Sequence, residues 1–111
     1  MKKRVPSHRP SAGAQEGLFQ ALASLKDASE IRAFLLDLCT PAELEALIDR
    51  WRVVPLIEDG MPYREIHDHT SVSVTTVGRV ARALTAGCGG YHMALSRLGT
   101  LKSKRSSEAT L

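Results

Sequence analysis

Cysteine is nearly absent from this sequence, with only Cys39 and Cys88 along 111 residues. Two thiols cannot supply the disulfide framework of small secreted folds, so each reads as a reduced thiol without chemistry. Aromatic residues are scarce as well: Phe19, Phe34, Trp51, Tyr63 and Tyr91 are the whole set. The core therefore has to be aliphatic, built from Leu, Val, Ile and Ala, and so thin a core gains from pairing with a second copy. Long apolar runs are missing too. Without a secretory h-region or a membrane span, the expectation is a cytoplasmic protein with no membrane partner. The length suits one domain.

Carboxylates are absent from two stretches. Residues 1–10 carry Lys2, Lys3, Arg4 and Arg9 without an acid, and residues 69–107 carry Arg79, Arg82, Arg97, Lys102, Lys104 and Arg105 without one. Between them, residues 11–68 hold five basic residues against eleven acidic. The net charge of +3 thus hides an acidic first half that repels polyanions and a basic second half that attracts phosphate. The expected organisation is a disordered basic arm over 1–14, a helical domain over 15–99 and a flexible basic tail over 100–111. A basic terminus serves solubility as readily as binding, but two ends of one sign favour a polyanion partner.

What is present is helical periodicity. Leu18, Phe19, Leu22 and Leu25, and after Asp27-Ala28-Ser29 the set Ile31, Phe34, Leu35 and Leu38, mark two short amphipathic helices. Thr40-Pro41-Ala42-Glu43 has the capping hydroxyl, first-turn proline and carboxylate of a capping box. The helix it opens presents Leu44, Leu47, Ile48, Trp51, Val54 and Ile57 on one face and stops at Gly60. Pro55 lies within that pattern and removes a hydrogen bond at a cost of roughly 3 kcal/mol, so the helix either kinks between Trp51 and Pro55 or ends before Pro55. A short helix follows over 62–69 with Tyr63 and Ile66 inward, then the interruption Thr70-Ser71-Val72-Ser73. Ser73 caps a helix from 74 to about 85, ended by Gly87, Gly89 and Gly90, and a last helix runs from 91 to about 98.

Two short helices joined by a tight turn, over about 62–85, form a helix-turn-helix pattern suited to the major groove of duplex DNA. Ile66, Val72, Val77 and Val80 would lock the pair, leaving Ser73, Val74, Thr75, Gly78, Arg79 and Arg82 as the DNA-binding set. Arginine pairs with guanine edges or phosphates, Thr75 offers a hydroxyl and a methyl, and Gly78 admits close backbone approach. The pattern does not separate base readers from phosphate clamps. Surface helices also carry threonine and arginine at such spacing for solubility alone. His67 stands where such units usually place alanine, and Ser71 where the turn usually takes glycine.

Other chemistries find little support. His67, His69, Cys88 and His92 are the candidate metal ligands, but two histidines two residues apart fall on different helix faces, and Cys88 with His92 matches no zinc spacing. Ser71, Ser73, His67 and Asp68 are capping and turn residues rather than a nucleophile and its base. Gly87-Cys88-Gly89-Gly90 lacks the strand and lysine of a phosphate loop. No metal, cofactor or enzymatic activity is expected.

The stretch Leu38-Cys39-Thr40-Pro41-Ala42-Glu43-Leu44-Glu45-Ala46-Leu47-Ile48-Asp49-Arg50-Trp51-Arg52-Val53-Val54 resembles the Leu-Thr-Pro-x-Glu opening and Arg-x-Arg helix of the Trp repressor family. The likeness continues through Gly60-Met61-Pro62-Tyr63-Arg64-Glu65-Ile66, then Thr75-Thr76-Val77-Gly78-Arg79-Val80-Ala81-Arg82-Ala83-Leu84, then Gly89-Gly90-Tyr91 with Ala94-Leu95. Within that family it is most similar to the YerC/YecD-type Trp-repressor-like proteins. The resemblance implies an all-α, six-helix subunit with a helix-turn-helix, intertwined with its twin as a homodimer. It implies a nucleoid-associated, sequence-specific DNA-binding transcriptional regulator, a repressor, docking on a pseudo-palindrome. The alternative is a helix-turn-helix module that binds proteins without reading DNA. Thr40, Arg50 and Arg79 match positions that line the family's corepressor pocket. Val80 stands where the tryptophan-responsive repressor has glycine, and Ala83 where it has serine. A valine would fill indole space and an alanine cannot bond an ammonium group, so no tryptophan response is expected and any effector is left unassigned. Arg50 and Arg79 then serve structural ion pairs or phosphate contacts.

Overall fold

The computed structural model describes the backbone over residues 9–109 and the side chains over 9–99. Among the described residues there are six helices and no strand: α1 (Ala12–Ala23), α2 (Ala28–Leu38), α3 (Pro41–Glu58), α4 (Tyr63–Thr70), α5 (Val74–Ala86) and α6 (Gly90–Ala109). They fall into two compact units, one running to Leu44 and the other starting at Glu45. Most of the expected basic arm, residues 1–8, lies outside the described residues, and Ala12 to Ala14 already belong to α1. The backbone of α6 continues to Ala109, where a flexible tail is expected from the composition; residues 110–111 lie outside the described residues.

In the first unit every helix start is built from a local cap. Ser11 Oγ accepts from the Ala14 N–H at 3.1 Å, and the Asp27 carboxylate accepts from the Glu30 N–H at 2.9 Å. Thr40 and Glu43 exchange bonds as a capping box: Thr40 Oγ1 accepts from the Glu43 N–H at 3.2 Å, and Glu43 Oε1 accepts from the Thr40 N–H at 2.8 Å. Bonds from the Thr40 N–H, and then from its side chain, hold the Glu43 carboxyl below its ordinary range. That cap is complete at neutral pH and is lost as the pH falls through the lowered value. No residue of α1 or α2 is buried, and Leu18, Phe19, Ile31, Leu36 and Leu38 are exposed.

The second unit holds the core, an aliphatic cluster of Val53, Val54, Ile66, Val72, Val77, Val80 and Leu84. Trp51, Leu56, Ile57, Met61, Tyr91 and Leu95 pack against it, and the Trp51 and Tyr91 rings stack with centroids 6.4 Å apart. Pro55 lies inside α3 rather than ending it, at an exposed position. The inward face of α3 differs from the expected one. Val54, Trp51 and Ile57 face the core as the period requires, and Val53 joins them fully buried, while Leu47 and Ile48 are exposed. Only the C-terminal half of α3 meets this cluster, so helical period alone misplaces the N-terminal half. Tyr63, expected inward, is also exposed.

The turn between α4 and α5 explains the two residues that fit the helix-turn-helix pattern poorly. Ser71 is left-handed at φ 64°, closing α4 with its N–H on the His67 carbonyl at 2.8 Å. His67 Nδ1 lies 2.9 Å from the Val72 carbonyl, which can only accept, so Nδ1 carries the proton and the imidazole braces the turn. Thr70 Oγ1 adds a bond to the Ile66 carbonyl at 2.7 Å and one from the Val72 N–H at 3.1 Å. A side chain at positive φ is strained, whereas glycine is not. Ser71→Gly is therefore expected to stabilise the fold by about 0.5–1 kcal/mol, seen as a higher urea midpoint at unchanged slope; a lower midpoint would show that the serine is not strained.

Candidate functional site

α5 carries one buried and one open face. Val77, Val80 and Leu84 enter the core, while Ser73, Val74, Thr75, Arg79 and Arg82 are exposed and Gly78 is half-buried. The helix starts at Ser73, whose Oγ accepts from the Thr76 N–H at 3.1 Å and donates to Thr76 Oγ1 at 2.9 Å. This cap ties the hydroxyls of Ser73 and Thr76 to each other and leaves Thr75, with no hydrogen-bond partner among the described residues, as the available hydroxyl. The helix ends at Gly87, where the N–H bonds the Ala83 carbonyl at 2.9 Å and an added Cβ would collide with that same carbonyl. Glycine is required there for close approach.

Arg79 and Arg82 stand three residues apart on this open face and form no ion pair among the described residues. Arg50, half-buried, forms none either. Of the two roles expected for Arg50 and Arg79, structural ion pairs or phosphate contacts, the ion pairs are not made among the described residues, and both guanidinium groups keep their donors available. An open groove of about 470 Å³ flanks Arg82, with Glu58, Tyr63, Thr85 and His92 among its walls. There His92 Nε2 lies 2.8 Å from the Leu84 carbonyl and so carries a proton, and its Nδ1 lies 3.9 Å from Glu58 Oε1. Tyr63, which helical period assigns to the core, instead lines this groove, and nothing in the sequence marks Glu58, at the end of α3, as its neighbour there.

The positions tied to a corepressor pocket are placed variously. Thr40 belongs to the first unit, where its hydroxyl caps α3, and the other four belong to the second. Val80 is 1% exposed, so its side chain fills the core rather than a ligand space. Ala83 lines a small apolar groove of about 230 Å³ with Cys88, Gly89, Gly90 and Tyr91, and it brings no hydrogen-bonding group there. Among the candidate metal ligands, His67 and His69 each bond a separate carbonyl, of Val72 and of Glu65. No three such groups converge among the described residues.

Comparison with known proteins points one way. The profile of the Trp repressor protein family matches residues 14–99. YerC of Bacillus subtilis (strain 168), an uncharacterized protein, is 37% identical over 91 residues, covering 82% of this chain and 88% of that protein. The crystal structure of a TrpR-like protein from Eubacterium eligens superposes with a TM-score of 0.74 at 39% identity, covering 79% of this chain and 91% of that one. A crystal structure from Staphylococcus aureus does so with a TM-score of 0.74 at 32% identity, covering 88% and 96%. With six helices among its described residues, a helix-turn-helix and a family profile matching most of its length, this chain belongs to the Trp repressor family.

Proposed function

We propose that this protein is a sequence-specific DNA-binding transcriptional regulator, a repressor, that acts as a homodimer on a pseudo-palindromic site. The observation that carries the reading is the open face of α5, where Thr75, Arg79 and Arg82 stand exposed with no partner among the described residues, in a stretch that has no acid from His69 to Ser107. A helix of this width fits the major groove, and two copies related by a twofold axis would set their α5 helices roughly 34 Å apart, in successive grooves. The exposed apolar side chains of α1, α2 and the first half of α3, among them Phe19, Leu36 and Ile48, support a second copy as partner. Tryptophan is not an effector in this reading, because Ala83 offers nothing to an ammonium group.

The test is a titration of labelled duplex, selected from a random library, across ionic strengths and with or without tryptophan. Affinity is expected to fall with salt by about one power per phosphate neutralised, and to be the same with and without tryptophan. Salt-insensitive or sequence-indifferent behaviour would favour a protein-binding module instead, and a tryptophan-dependent gain would restore the amino acid as corepressor.

A further inference from the structure

Val74, the first residue of α5, is 46% exposed and takes no part in the core. Apolar surface at this point has no use in the packing of the subunit, since α5 is anchored through Val77, Val80 and Leu84 on its other side. One turn further along, Gly78 leaves the adjoining surface bare: a Cβ added there would meet nothing within 4 Å. The open face therefore begins with two methyl groups standing beside an empty step. Its hydrogen-bonding groups are arranged around them, with Ser73 and Thr76 bonded to each other and Thr75 and Arg79 unpaired among the described residues.

A valine at such a place can neither donate nor accept a hydrogen bond. Pressed against amino groups, carbonyls or ring nitrogens of base edges, it would strip them of water and return nothing. The one apolar group on the floor of the major groove is the C5-methyl of thymine. Helices that read this groove do so with their N-terminal residues, which is where Val74 stands.

Resting on the DNA-binding reading above, we propose that Val74 is a specificity-determining residue that selects a thymine in each half-site by packing its methyl groups on the thymine C5-methyl. Gly78 leaves the space into which the base edge fits. Thr75 and Arg79 act beside it by hydrogen bonding, so the thymine is chosen by apolar contact and its neighbours by polar ones.

The experiment uses the full chain and its selected duplex, in which each thymine in turn is replaced by deoxyuracil, a change that removes the methyl group alone. Affinities are measured for the wild type, Val74→Ala and Val74→Ile, with thermal melts confirming that the variants fold. For the wild type, uracil at one symmetry-related thymine of each half-site is expected to weaken binding roughly fourfold per half-site, the factor that burial of one methyl-sized group corresponds to. Val74→Ala should lose sensitivity at that position while keeping any sensitivity elsewhere, and Val74→Ile should retain it. Equal uracil responses in wild type and Val74→Ala at every position, or wild-type affinity in Val74→Ala, would overturn the assignment while sequence-preferring binding stands. A wild type that prefers no duplex over random DNA would remove both this assignment and the DNA-binding reading.

Discussion

Replacing Arg79 and Arg82 together with alanine is expected to lower affinity for the selected duplex roughly ten- to a hundredfold per half-site at moderate salt, and to reduce the salt slope by about two per subunit, or about four for the dimer. Both guanidinium groups are exposed, lie three residues apart on one helix face and form no ion pair among the described residues, so the free protein holds neither in an alternative contact. The loss should appear in binding and not in folding, because α5 is anchored by Val77, Val80 and Leu84. The single variants resolve what the sequence pattern leaves open. If one arginine reads a base, its removal relaxes selection at one position of the half-site; if it clamps a phosphate, affinity falls for every duplex alike. Unchanged affinity and slope in the double variant would move the binding surface away from α5.

The second large effect concerns the small core behind that surface. Ile66→Ala is expected to destabilise the chain by about 3–4 kcal/mol, a large share of the roughly 5–15 kcal/mol that holds a domain together. Ile66 is 0% exposed and lies on α4 in the cluster with Val53, Val54, Val72, Val77 and Val80, so truncation opens a cavity between α4 and α5. These are the two elements whose packing aims the open face. Urea unfolding measures the loss, and Ile66→Val, which keeps the branch and removes one methyl, should cost only about 1 kcal/mol. A cost below that of the valine variant would mean that the helix pair does not depend on this side chain.

Much of this architecture was legible in the sequence. The box formed by Thr40 and Glu43 and the cap at Ser73 are bonds between residues three apart, so residue type and spacing suffice to foresee them. Ser11 and Asp27 cap α1 and α2 by the same local rule, though nothing in the sequence raised them above other short polar residues. Val74, Thr75, Arg79 and Arg82 fell on the outer face because Val77, Val80 and Leu84 claim the inner one, a consequence of helical period within a single element.

Residues whose surroundings come from another element were less legible. Leu47 and Ile48 share the apolar stripe of α3 with Val54 yet stay exposed, while Val53, off that stripe, is buried. His67 looked out of place until the turn brought the Val72 carbonyl within 2.9 Å of its ring. Val80, which its spacing assigns to the lock between the two helices and the family resemblance to a pocket, has its side chain in the core. From residue types and spacings came the helices, their starts and the open face of α5, since those depend on neighbours within one turn. Packing between helices decided which apolar residues are sealed, how the turn tolerates His67 and Ser71, and which arginines keep their donors free, because burial and pairing are properties of what lies opposite a side chain.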